Sequence, residues 1–567
     1  MAKDSPWNQG DIMRTFLTIA ALGLLAACHD PATQKTPAQG KVTVFTGGTI
    51  YTGLADQPKV NAVIVGEDGR IIATAPPTSE DWSEDEVTMV DLDGGVMFPG
   101  FTDAHAHLLG IGQREIMLSL EGTPSLESLV SRVSDEVAGK VPGEIIFGRG
   151  WIETDWPEDR MPSAADLDPV SPANPVILMR ADGHALVANT AALKAADVYD
   201  IAGDSDGGRV ERGKGTGKAT GMVIDEAMYP VLQLVAEPSD TDIRKAYEIG
   251  AKTYVARGWT GTHNMSVDRN HAALLKALDD EGLMPLRLYN AYDENGFYLA
   301  KKHQYETDTI QNRAVKIYID GALGSRGALL IQPYSDRPDT NGLEILDENV
   351  LHNLMMDAKE DEIQLAIHAI GDLANRRILD TYEELGYGPE LRWRIEHAQI
   401  LAPEDIARVG QLGLIASMQP SHAIGDLKFA PARLGMDRLG GAYAWKSMLG
   451  SGAVVAGGSD APVEVGSPLI EFYAAVARKG LNGETGEGWH PEQALAREQA
   501  LALFTSSAAY AAFQEDDLGT IEPGKLADFT VFDRDLMTIP EDEILEAKAV
   551  MTIVGGNVVW RQSAASE

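Results

Sequence analysis

The chain has 567 residues, of which 85 are Asp or Glu and 47 are Lys or Arg, for a net charge of −38. So acidic a surface repels phosphate backbones and excludes nucleic acid as a partner, and because the carboxylates are scattered rather than blocked they read as a solvated face. Apolar residues at 44% supply a large core, while a single cysteine, Cys28, excludes an intrachain disulfide and a thiolate metal cluster, leaving His, carboxylate or lysine-derived groups for any metal.

At the N-terminus, Met13-Arg14-Thr15-Phe16 leads into an apolar run over 17–27 that ends in Leu25-Ala26-Ala27-Cys28. The run is too short to span a bilayer. A short positive region, an apolar stretch and small residues before a cysteine predict a lipoprotein-type signal over 1–28, starting at Met1 or Met13, with Cys28 lipidated. An ordinary secretory signal is the alternative. Residues 29–40, rich in Pro, Thr and Gln, predict a tether. The expected location is the periplasm or the outer membrane, with the lipid as the only membrane contact.

Residues 42–50 and 60–65 are β-rich with Gly breaks, and Gly66-Glu67-Asp68-Gly69 is a turn. The C-terminal segment answers with β-rich stretches over 526–532 and 550–560. The two ends, 41–98 and 515–560, therefore predict one composite β-sandwich. Between them, β runs over 258–265, 286–291, 314–319, 364–370, 392–399, 414–419 and 454–458 alternate with amphipathic stretches such as 351–362 and 375–385. The fold class is α/β: a distorted (β/α)8 TIM barrel over 99–514, interrupted by an insertion at about 120–245.

The chemistry-bearing groups follow β runs. His105 and His107 close Phe98-Pro99-Gly100-Phe101-Thr102-Asp103-Ala104-His105-Ala106-His107; alternation along a strand puts both rings on one face. His368, His397 and Asp460 each end a later β run, and catalytic groups of such barrels collect at the C-terminal ends of the strands. His and carboxylate suit zinc, iron, manganese or nickel. Asp460 beside a metal-activated water is the expected proton acceptor. Lys316 lies within the apolar run Val315-Lys316-Ile317-Tyr318-Ile319. The residues leave two readings of it: a desolvated amine carboxylated by carbon dioxide, or a cation paired with a carboxylate such as Asp320.

The set His105-x-His107, Lys316, His368, His397 and Asp460 resembles the amidohydrolase superfamily. Gly150-Trp151, Asp182-Gly183-His184, Asp320-Gly321-Ala322-Leu323-Gly324-Ser325, His368-Ala369-Ile370-Gly371-Asp372, Gln419-Pro420-Ser421-His422 and the ending around Pro523-Gly524-Lys525-Leu526-Ala527-Asp528 resemble its YtcJ-like branch, amidohydrolase family 3. The resemblance implies one divalent ion, zinc first, on His105, His107 and Asp460, and a second on His368 and His397, with carboxylated Lys316 bridging them. It implies hydrolysis of an amide-type, non-peptide C–N bond in an N-acyl, N-formyl or cyclic amide, by hydroxide generated on the metal. It also implies substrate contacts for His184 and His422, each of which could instead support the ligands by hydrogen bonding. Trp151 and Trp156 in the insertion are expected either to wall the substrate or to form the insertion's own core. Two other functions compete: a mononuclear deaminase of a heterocycle, against which Lys316 argues, and an idle ligand-binding or regulatory lipoprotein, against which the complete ligand set argues.

Overall fold

The computed structural model describes residues 41–76, 82–153, 156–180, 185–200, 208–235, 238–485 and 489–563. Cys28 with its signal-like segment, the tether and His184 lie outside these residues.

Eight parallel strands follow one another around a barrel in sequence order: β1 Phe101–Ala106, β2 Trp259–Val267, β3 Arg287–Tyr292, β4 Ile310–Tyr318, β5 Gln364–Ala369, β6 Arg394–His397, β7 Ile415–Met418 and β8 Val455–Gly457. Every residue of β3, β5, β6 and β7 is buried. Such strands are covered on both faces, by the barrel interior and by the outer helices. The barrel closes between its ends. Asp460 N donates to His105 O at 2.7 Å, and Ser459 N donates to Asp103 Oδ1 at 2.9 Å. Gly458 permits that closure, since a Cβ there would sit 2.4 Å from His105 N.

After β1, helix Leu108–Ile116 crosses helix Asp240–Arg257 at close range. A Cβ on Gly112 would lie 1.7 Å from Ala246 O. The second helix starts at a Ser239–Asp242 capping box and ends at Gly258, whose φ of +105° turns the chain into β2. This helix belongs to the barrel. The insertion carries its own six-stranded sheet, with strands from Leu118–Ser119 to Ala219–Asp225.

Strands from both ends of the chain share one further sheet. Val96–Pro99 pairs with Phe529–Phe532, which pairs in turn with Ala549–Val554. A second sheet of N-terminal strands includes Val42–Thr46 and Val87–Asp91. The joint with the barrel includes a buried two-pronged ion pair, Arg287 Nε to Asp528 Oδ2 at 2.6 Å and Arg287 Nη2 to Asp528 Oδ1 at 3.0 Å. That pairing gives Asp528 of the Leu526-Ala527-Asp528 motif a structural role.

Candidate metal centre

His105 and His107 at the end of β1, Lys316 on β4, His368 on β5, His397 at the end of β6 and Asp460 just beyond β8 all line one cavity of about 410 Å³. His107 Nε2 lies 3.2 Å and His105 Nε2 3.4 Å from Asp460 Oδ1. His105, His397 and Asp460 each offer a donor atom within 4.8 Å of the others. The His368 ring stands 4.5 Å from that of His397, centroid to centroid. His397 and Asp460 hold their backbones at φ of +75° and +58°. Non-glycine residues avoid this left-handed region unless the surroundings impose it, and such departures gather at functional sites.

Three hydrogen bonds fix how the rings present their lone pairs. Nδ1–H of His105 donates to Glu396 Oε2 at 2.5 Å, that of His107 to Met265 O at 3.1 Å, and that of His397 to Gln419 Oε1 at 2.8 Å. Each assignment leaves Nε2 as the lone-pair nitrogen. Burial, reinforced by the Lys316 charge, holds His105 down to about 4 and His368 down to about 3. Burial and the neighbouring His368 hold His397 well below the usual imidazole range. These rings are therefore neutral near pH 7, as metal ligation requires. Burial raises Asp460, and positive charge on His105, His107 and His397 lowers it well below the usual carboxylate range; with the buried rings neutral, a bound cation would be the charge that keeps it ionised.

This donor set fits a divalent cation. His105 Nε2 and His368 Nε2 are buried without a hydrogen-bond partner, although His368 Nε2 lies 3.4 Å from Asp320 Oδ1. A bound cation satisfies such orphaned atoms, which otherwise carry a desolvation cost.

Lys316 is 1% exposed, with Nζ 4.8 Å from the Tyr318 ring centroid. Burial outweighs the attraction of Glu396 and Asp460 and lowers its amine to about 8. Its pairing with Asp320, one of the two sequence readings, is not what the structure holds. Asp320 instead accepts from the backbone N–H groups of Leu329, Ile370 and Gly371 at 2.8–3.0 Å.

His422, on helix Pro420–Gly425 after β7, lines the same cavity, with Nε2 3.6 Å from Asp460 Oδ2. Trp151 does not. It is fully buried in the insertion, donates from Nε1 to Leu178 O at 2.9 Å, and packs 6.2 Å from Trp156 within a core that includes Leu129 and Val133. The expected apolar substrate wall is thus the insertion's own core, because an indole whose N–H is taken by a local strand gains most by burying there. His263 accepts from Arg394 Nη1 at 2.7 Å.

The ligand motifs assign no role to Glu396 or Gln419. Glu396 is completely buried between His105 and Arg394 Nε, the latter 2.7 Å away. The signal for it is period two: Arg394 and Glu396 share one face of β6.

The sequence profile of a family described as "Amidohydrolase family" matches residues 88–560. YtcJ of Bacillus subtilis (strain 168) is 32% identical over 528 residues, covering 92% of this chain and 99% of its own length. N-substituted formamide deformylase of Arthrobacter pascens is 28% identical, over 87% of this chain and 92% of its own. Among solved structures, an uncharacterized metal-dependent hydrolase of Pyrococcus horikoshii OT3 superposes with a TM-score of 0.72 at 27% identity, covering 88% of this chain and 99% of its own.

Proposed function

The chain belongs to the amidohydrolase family and is a hydrolase, and from that premise we propose that it cleaves an amide-type C–N bond other than a peptide bond, with zinc or a similar divalent ion held by His105, His107, His368, His397 and Asp460. The observation that carries this reading is the convergence of the buried His105, His397 and Asp460 donors, the first with an unpartnered Nε2. A divalent ion there supplies Lewis acidity and lowers the pKa of bound water from about 16 toward about 7.

The chain's own residues do the rest. Glu396, Met265 O and Gln419 hold three imidazoles in one tautomer. Asp460, ionised and beside His107 and His422, is placed to accept a proton and return it to the leaving nitrogen. Lys316, dry and easily neutralised, is suited to carboxylation and hence to a two-ion site. This favours amide hydrolysis over a one-ion ring deamination. The printed name of the Arthrobacter relative points to formamides as one such amide class. The reading includes export, with Cys28 as the lipid anchor.

A turnover panel tests it. N-formyl amines, N-acyl amines, cyclic amides and amino-substituted rings are offered to the metal-replete protein, and released amine and ammonia are measured. Amine release from formyl or acyl compounds, or opening of cyclic amides, is expected. Ammonia release from rings alone would favour a deaminase. Inertness toward the whole panel would favour a ligand-binding lipoprotein.

A further inference from the structure

The cavity has two dissimilar ends. The deep end holds His105, His107, His368 and His397 with Lys316 and Asp460. The outer wall comes from the segments after β7 and β8 and presents His422, Asp426, Phe429, Val463 and Glu464. No arginine or lysine among the described residues lines that outer wall. Arg433, beside Phe429, is turned away to Asp336 and to Gly324 O.

Two carboxylates on this wall lack a cation. The Glu464 carboxylate makes no hydrogen bond to a described residue, and His422 Nε2 lies 4.0 Å from its Oε1. Asp426 Oδ2 accepts from Gln399 Nε2 at 2.9 Å and from the Tyr443 hydroxyl, and Oδ1 receives no donor from the described residues. A separate sign of a ligand is His422. It is 9% exposed, and its buried Nε2 has no hydrogen-bond partner, although it faces the space between Asp460 Oδ2 at 3.6 Å and Glu464 Oε1 at 4.0 Å. Burial raises both Glu464 and Asp426, so each gains from a cation brought beside it. Phe429 and the exposed Val463 add aromatic and aliphatic surface suited to an alkylammonium.

We propose that the ligands of this cavity carry a positively charged group, an ammonium or amidinium, which seats between Glu464 and Asp426 beside Phe429. On the hydrolase reading above, the substrate is an amide of a cationic molecule, its carbonyl at the deep end and its charge at the mouth. The charge preference belongs to the wall and can be measured without turnover.

Choline and its neutral isostere 3,3-dimethyl-1-butanol have the same shape and no scissile amide. Their affinities for the metal-replete full chain, measured by calorimetry, are expected to differ by about tenfold or more in favour of choline, as for a charge seated on partly buried carboxylates. Glu464→Gln should cut that preference by about threefold or more, and adding Asp426→Asn should bring it near unity. Glu464→Lys, at the half-exposed rim, should invert it, so the test does not depend on the more buried Asp426 variant folding. Equal affinities, no choline binding, or a preference untouched by Glu464→Gln and Glu464→Lys would overturn the proposal. The turnover panel can fail while the choline preference stands, and the reverse, so the two readings fail separately.

Discussion

His105 Nδ1 and Glu396 Oε2 meet at 2.5 Å in the floor of the cavity, and neither side chain has any contact with solvent. The pair couples the strand that opens the barrel to the sixth. It sets the lone pair of His105 toward Asp460 before any ligand arrives. Arg394 on the far side keeps Glu396 ionised: burial alone would raise that carboxyl, but Arg394 and His105 pull it far below the ordinary carboxylate range.

Glu396→Gln keeps the shape but weakens the orienting bond. Loss of such a supporting partner costs about 10–100-fold in metal affinity. Competition against a chelator should show that loss, with circular dichroism verifying the fold. Unchanged affinity in a folded variant would remove Glu396 from the account.

Lys316 separates one-ion from two-ion chemistry. Carboxylation needs the neutral amine, and with the amine lowered to about 8 the neutral fraction climbs between pH 6 and pH 9. In bicarbonate buffer, metal content should therefore rise with pH over that window. Lys316→Ala should lose one or both ions, and a short carboxylic acid should restore part of them. Lys316→Arg should not recover them, because guanidinium stays protonated. Full metal content and turnover in Lys316→Arg would eliminate the carbamate.

Asp460→Asn retains an oxygen donor but cannot take up a proton as a carboxylate does. Turnover should fall by about 10²–10⁴-fold. A variant that binds metal fully and keeps more than about a tenth of wild-type turnover would refute the proton-transfer role.

The barrel–sandwich joint makes a prediction independent of chemistry. Asp528→Ala leaves the buried Arg287 without its partner, and breaking a buried pair in this way costs about 3–5 kcal/mol. Denaturant melts should show a loss of that size. A shift below about 1 kcal/mol, within the range of an exposed pair, would mean the joint is held by other contacts.

Cys28→Ser tests the proposed anchor. It should release the protein to the soluble fraction or leave an unprocessed precursor. Mature mass and membrane attachment identical to wild type would rule lipidation out.

The barrel was legible because parallel strands buried on both faces make apolar runs, and each of the seven runs assigned from sequence carries one of β2 to β8. The candidate ligands were legible because they sit at or just beyond the C-terminal ends of strands: His105 and His107 at β1, His368 at β5, His397 at β6 and Asp460 after β8. What stayed hidden depends on geometry that no run encodes. Strict alternation would send His397 out of the barrel opposite Glu396; the φ of +75° at His397 brings both inward. Asp426 and Glu464 occupy connecting segments whose course is set by the whole barrel. Trp151 follows Gly150, at φ +109°, into a core that belongs to the insertion alone, and local sequence does not say which of two cores an indole joins.

Metal content decides whether this hydrolase is metal-dependent. Elemental analysis of the purified protein should find one or two divalent ions per chain, zinc foremost. The double variant His105→Ala, His107→Ala should lose most of that metal while remaining folded. Equal metal content in the two proteins, or none in either after purification with added zinc, would mean that these histidines hold no metal.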